Sequence, residues 1–129
     1  MPGPLAGVTV IDVSEVISGP MAAQVLADQG ADVIKVEPTV MGDITRIGGF
    51  RVDDISAMYA SVNRGKKSVA LDLSQPDGVE VFRRLGADAD VLIQNFRPGA
   101  VDRMGIGADA MLELNPDLIY VSISGFGPS

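Results

Sequence analysis

The residues of this chain best suited to chemistry stand at 94–99, Gln94-Asn95-Phe96-Arg97-Pro98-Gly99, directly after the apolar run Val91-Leu92-Ile93. An amide, an aromatic ring and a guanidinium at the end of a buried strand occupy the place where α/β proteins hold ligands. A guanidinium braced by Pro98 suits an anion or a carbonyl, and the Phe96 ring offers a stacking face. Arg103 adds a second positive charge nearby in sequence. The plainer alternative is a surface arginine in a loop with Phe96 in the core. A further basic cluster, Arg64, Lys66 and Lys67 around Gly65, is either a phosphate contact or a solvated turn before a strand. The carboxylates of Asp12, Glu15, Asp43, Asp72 and Asp102 all fall near expected strand ends or loops, and spacing singles out none of them as nucleophile or base.

Absences narrow the chemistry further. The chain has no Cys and no His. Thiol nucleophiles, imidazole bases, Ser-His-Asp triads and most zinc sites are therefore excluded. A net charge of −7 argues against nucleic acid as the main partner. It leaves room for an anionic small ligand, which responds to local charge. No apolar run is long enough to span a bilayer, so no membrane partner is expected. The N-terminus, Met-Pro-Gly-Pro-Leu, lacks the basic region and apolar core of a secretion signal, and with no cysteine a cytoplasmic location is expected. At 129 residues the chain is expected to form one domain with a real core.

The elements that position these residues are legible from periodicity. Residues 8–13 form a β-branched run and read as a buried strand. Ser18-Gly19-Pro20 supplies a helix start, with Met21, Ala22, Val25 and Leu26 on one helical face and Gly30 as the stop. Residues 32–36 read as a second strand ending at Glu37-Pro38, which makes a right-handed β-α-β unit. Residues 38–66 read as a long excursion with one short helix at 55–62, and an excursion of that length is usually functional. Strands are expected at 68–73, 90–93 and 117–123. Ser74-Gln75-Pro76-Asp77 reads as a capping box, followed by a helix that faces Val79, Phe82 and Leu85 inward. A helical turn at 100–104 and a helix at 108–114, ended by Asn115-Pro116, complete an α/β pattern with a mostly parallel sheet.

Dinucleotide binding fits poorly. Glu37 stands where an acid binds a ribose hydroxyl, yet the first strand-to-helix turn, 14–20, lacks Gly-x-Gly-x-x-Gly, and Glu15 would repel a pyrophosphate there. The match at 105–110 does not follow a strand. The closing Gly125-Phe126-Gly127-Pro128 follows a buried strand and reads as leading onward, so the chain is expected to be the front part of a longer polypeptide.

Several ordered motifs together resemble one family: GPLAGVTVIDVSEVISGPMAAQVLADQGADVIKVEP, GD-x-TR at 42–46, NRGKKSVALDL, DVLIQNFRPGAVDRMG and LNPDLIYVSISGFGP. They are similar to the front portion of the family III CoA-transferases, the group of formyl-CoA transferase, carnitine CoA-transferase and 2-methylacyl-CoA racemase. The resemblance implies a Rossmann-like mostly parallel sheet with flanking helices, the front part of a larger interlocked-dimer fold. Residues 1–129 would be the N-terminal part of its large CoA-binding domain, without the small domain and the C-terminal return. It implies acyl-CoA and a carboxylate acceptor as substrates, no tightly bound cofactor, and a homodimer for the full-length family. Coenzyme A would move through an Asp-linked anhydride and an enzyme-bound thioester. That Asp, like the racemase's acid–base residues, is expected beyond residue 129, so no catalytic residue is assigned here and the segment alone is expected to be inactive. A racemase branch, or a non-catalytic CoA-binding or interaction fragment, stands as the alternative. CoA contacts are implied at Ile17, Ser18, Leu71, Asp72, Leu73, Ser74, Asn95, Phe96, Arg97 and Arg103. The sequence departs at Pro38, where the family often has a basic residue, and at Ile17, where formyl-CoA transferases have Gln.

Overall fold

Short β-branched runs pair into one sheet in the computed structural model, which describes residues 2–127. In chain order the elements are β1 (Thr9–Asp12), α1 (Ser18–Asp28), β2 (Asp32–Glu37), a 3-10 turn (Ile44–Arg46), β3 (Arg51–Val52), β4 (Ile55–Ser56), α2 (Ala57–Asn63), β5 (Lys67–Ala70), α3 (Pro76–Ala87), β6 (Val91–Gln94), α4 (Ala100–Arg103), α5 (Ala108–Leu114) and β7 (Ile119–Ser122). Five strands form a parallel sheet in the order β5-β2-β1-β6-β7, while β3 and β4 pair as a separate hairpin. Successive strand residues point to opposite faces. Ile11, Val36 and Leu92 therefore join Phe82 of α3 and Met111 of α5 in one core. Val10, Val33 and Ile93 join Ala23 of α1 in the other. The expected α/β class and parallel sheet are present, as is the inward face of Val79, Phe82 and Leu85.

Several local expectations are corrected. Helix α1 begins one residue earlier than a Ser18 cap requires: Ile17 is its N-cap, with no side-chain cap bond. Its buried face is Gly19, Pro20, Ala23 and Gln24, while Met21 and Val25 are exposed, because the sheet is approached by the small residues of the helix. The capping box at 74–77 does not form. Gln75 is the N-cap of α3 and makes no side-chain cap bond, since Ser74 turns back to Asp72 and Pro76 alone starts the helix. The strand expected at 68–73 ends at Ala70, which frees residues 71–74 as a loop. The excursion holds more order than one helix, namely the 3-10 turn and the hairpin. Pro128 and Ser129 of the closing loop lie outside the described residues.

What fastens the excursion to the sheet is a network of buried charge. Lys35 of β2, 1% exposed, lies 2.7 Å from Asp43 Oδ2 and 3.9 Å from Asp12 Oδ2, and donates to the Ser14 carbonyl. Lys66, at the excursion's far end, donates to Asp12 Oδ2 (2.7 Å), the Pro20 carbonyl (2.8 Å) and Asn63 Oδ1 (2.9 Å). Glu37 accepts from Arg46 Nε and Nη2 (both 2.7 Å), the Asp43 N–H (2.8 Å), Ser68 Oγ (2.7 Å) and the Tyr59 hydroxyl (2.9 Å). The Arg46 guanidinium also lies 3.8 Å from the centre of the Tyr59 ring. Burial alone would raise the Glu37 pKa, but these donors, Arg46 foremost, outweigh it and pull the carboxyl from its ordinary 4.5 to about 2. Burial likewise works against the charge of Asp43, and the bonds from Lys35 and Thr45 outweigh it, so that pKa is lowered too. Lys66 is held below its ordinary value by burial, with Asp12 offsetting part of the effect.

Two predictions follow from this packing. A folded pKa below the unfolded one means that Glu37 contributes fully above about pH 4.5, and that the contribution is lost as pH falls towards 2. Glu37→Gln should remove on the order of 3 kcal/mol at neutral pH and flatten the stability profile below pH 4.5, read by urea unfolding across a pH series. Gly78 of α3 lies against the loop at 71–74: a Cβ there would stand 2.0 Å from the Asp72 carbonyl oxygen. Helix propensity favours Gly78→Ala by roughly 1 kcal/mol. The clash with fixed backbone should win, for a net loss of about 1–2 kcal/mol, seen as a lower unfolding midpoint.

Candidate functional site

The sheet order places a topological switch between β1 and β6. From β1 the chain builds outward to β2 and β5, and from β6 it builds the other way to β7. The loops at the C-terminal ends of these two neighbours lead into opposite halves of the sheet, and open parallel sheets hold ligands at such a point. Those loops are 13–17 and 95–99, so the residues first singled out stand at the switch point.

Asn95 ties the two loops together. Its Oδ1 accepts the Glu15 N–H at 2.8 Å, and its Nδ2 donates to the Glu15 carbonyl at 2.8 Å and to Ser18 Oγ at 3.5 Å. The next residue, Val16, has φ +69°. A β-branched side chain rarely enters the left-handed region, and such backbone costs about 1–3 kcal/mol. The Asn95 bonds hold Glu15 just before Val16, and helix α1 begins two residues after it. Val16 and Ile17 are left exposed at the crevice rim, 44% and 41% respectively.

Phe96 lines three hollows, and two of them hold most of the implied contacts. One, of about 360 Å³, is bounded by Val13 and Glu15, by residues 36–40, by Leu71, Asp72, Leu73 and Ser74, and by Met104. The other, a trough of about 690 Å³, is bounded by Ser18, Asn95, Arg97, Pro98 and residues 123–127. Eight of the residues implied by the resemblance are thus brought to adjoining hollows. Ile17 stands at the rim and lines neither. Arg103, on α4, lines neither, but its Nη1 lies 3.1 Å from where a Cβ on Gly99 would stand, so its guanidinium covers the turn that follows Arg97. Asp72 and Ser74 face each other: Asp72 Oδ1 accepts from the Ser74 hydroxyl at 2.6 Å and the Ser74 N–H at 3.0 Å, and these bonds lower the Asp72 pKa.

The charges separate clearly. Lys35, Arg46, Arg64, Lys66, Lys67 and Arg84 pair with carboxylates. Arg51 and Arg83 donate to backbone carbonyls. Among the described residues Arg97 and Arg103 are the two basic side chains with no hydrogen-bond or ion-pair partner, and both are exposed. Of the cluster Arg64, Lys66 and Lys67, Lys66 is buried against Asp12 and turned away from any phosphate, while Arg64 and Lys67 stand in exposed pairs with Asp28 and Asp32. Glu37, weighed as a ribose contact, is likewise consumed by Arg46, Ser68 and Tyr59. The buried network went unseen in the sequence, although one signal was present. Asp12, Lys35 and Glu37 are charges set within β-branched strands that a parallel sheet buries on both faces.

Known proteins carry the same segment. The chain is 45% identical to acetyl-CoA:oxalate CoA-transferase of Acetobacter aceti, over 97% of this chain and 32% of that protein. It is 44% identical to the human succinyl-CoA:glutarate CoA-transferase, over 96% of this chain and 28% of that one. The crystal structure of a CAIB/BAIF family protein from Brucella suis superposes with a TM-score of 0.94 at 41% identity, covering 100% of this chain and 35% of that one. The chain thus spans about a third of the length of these relatives. The sequence profile of CoA-transferase family III matches residues 5–129, and the chain belongs to that family.

Proposed function

We propose that this segment is part of the coenzyme A cradle of an enzyme that moves coenzyme A from an acyl-CoA to a carboxylic acid. The observation that carries the reading is the pair of unpartnered guanidinium groups, Arg97 and Arg103, beside an apolar hollow at the switch point of the sheet. A coenzyme A molecule has matching parts: phosphates at one end, and a base and a pantetheine arm with extended uncharged surface. Arg97 and Arg103 meet the phosphates, with charge-assisted hydrogen bonds worth about 1.5–3 kcal/mol each. Leu71, Leu73 and Phe96 meet the uncharged parts, and residues 71–74 supply backbone and hydroxyl groups beside them. Ile17 and Ser18 stand at the mouth.

The relatives support the same division of labour. Their names specify oxalate, glutarate or malate as acceptor at nearly equal identity to this chain, 42–45%. Coenzyme A is what those substrates share, and a segment equally similar to all three is suited to the shared part. The nucleophilic Asp implied by the family resemblance has no counterpart assigned among residues 1–129, and we assign the segment binding without turnover, as the N-terminal part of a larger CoA-binding domain. We propose further that the full-length protein pairs as a homodimer.

Calorimetric titration with coenzyme A should show saturable binding by this chain. Arg97→Ala and Arg103→Ala should each weaken it by roughly 10–100-fold, and should lower its sensitivity to salt. Unchanged affinity in both variants would remove the phosphate assignment.

A further inference from the structure

We propose that Asn95 is a positioning residue for the coenzyme A groove, holding Val16 in its left-handed conformation so that Ile17 and Ser18 stand at the groove's mouth. This role rests on the coenzyme A reading above. The family resemblance puts Asn95 among the ligand contacts, but its amide is already engaged: both ends bond the backbone of Glu15, and the remaining donor is directed at Ser18 Oγ. These bonds cross the switch point and join loops 80 residues apart in sequence. Their geometric consequence is at Val16. The N–H and carbonyl of Glu15 are held in place, and the Met21 N–H bonds the Ile17 carbonyl as α1 begins. The single residue between these fixtures must close the turn, and it does so at φ +69°.

Valine is a poor choice for such a turn, and glycine adopts it freely. Freed from the bonds to Glu15, the turn would relax toward negative φ and carry Ile17 and Ser18 away. The strained residue is therefore a reporter. If Asn95 acts on the ligand through the loop, relieving the strain at Val16 compensates for its loss. If Asn95 touches the ligand itself, relieving the strain does nothing. The Val16 side chain is 44% exposed, so its removal takes little packing with it.

The test is a cycle of Asn95→Ala, Val16→Gly and the double variant, read by calorimetry with coenzyme A and by the backbone resonances of Ile17 and Ser18. Asn95→Ala should weaken binding about tenfold and shift both resonances. The double variant should return to within about threefold of the parent, with the resonances moving back. An Asn95→Ala chain that folds only when Val16 is also Gly is the same rescue in another form. Equal weakening in the single and double variants, with the Ile17 and Ser18 resonances unmoved by Asn95→Ala, overturns the proposal and makes Asn95 a direct contact. Failure of the functional reading looks different: the parent chain itself then leaves coenzyme A unbound, while the resonances still move and return, which removes the groove and keeps the turn.

Discussion

The ammonium group of Lys35 sets the constraint on which the rest of this structure depends. It lies inside a parallel sheet with 1% of its surface exposed, and a charge taken so far out of water must find opposite charge close by. Asp12 of the neighbouring strand is 3.9 Å away, and Asp43, at 2.7 Å, comes from the excursion. The excursion therefore has one place to go. Lys66 repeats the demand at the other end by seeking Asp12, and Glu37 repeats it a third time by drawing in Arg46 and Tyr59. Such networks add little net stability over apolar packing, because desolvation cancels much of the attraction. Here their value is geometric. They pin a long polar segment at both ends, and its first residues, 38–40, become a wall of the apolar hollow.

The same network explains why counting basic residues misleads. A cluster such as Arg64, Lys66 and Lys67 looks like an anion site until its partners are known. Lys66 is then the counter-ion of Asp12, and the other two pair at the surface with Asp28 and Asp32. The positive potential left for a ligand comes from the arginines that the fold leaves unpaired. In a chain of net charge −7 two such groups are a local exception, confined to the turn after β6 and the short helix α4. Their exposure keeps them hydrated and screened.

Much of the fold could be read from periodicity, because buried parallel strands are short β-branched runs and the intervening helices alternate with them. Helix α5 ends where Asn115-Pro116 requires, and α3 faces Phe82 inward as its spacing implies. The errors have physical causes. The apolar stripe of α1, with Met21 and Val25, points to solvent, because the close approach of α1 to the sheet is made by Gly19 and Ala23, which hydropathy does not flag. A Cβ on Gly19 would stand 2.1 Å from Ser14 Oγ, so the helix could not come as near with a larger residue there. Ser74 has the composition of a cap, but Asp72 is closer and captures its hydroxyl. At the site, Asn95, Phe96 and Arg97 were legible as types suited to a strand end. That Asn95 is occupied by Glu15 was not, since a contact across 80 residues leaves no local pattern. Val16 gave no signal at all, because strain is a property of the closed turn and not of the residue.

The carboxylates give the crevice its polarity. Asp12 and Asp43 are fully buried and ion-paired, and Glu37 is held by its donors at a pKa of about 2, which leaves it little basicity. Asp72 is exposed, but one oxygen is folded onto Ser74. Glu15 differs from these: it borders the apolar hollow, and its carboxylate has no partner among the described residues. A carboxylate so placed repels phosphate at short range. On the coenzyme A reading proposed above, the hollow beside Glu15 and Asp72 would disfavour the charged end of the ligand and admit an uncharged ring or arm, while Arg97 and Arg103 would attract the charged end to the far side of Phe96. On that reading, repulsion on one side of the ring and attraction on the other would orient a long amphipathic ligand across the switch point before the arginine–phosphate hydrogen bonds form.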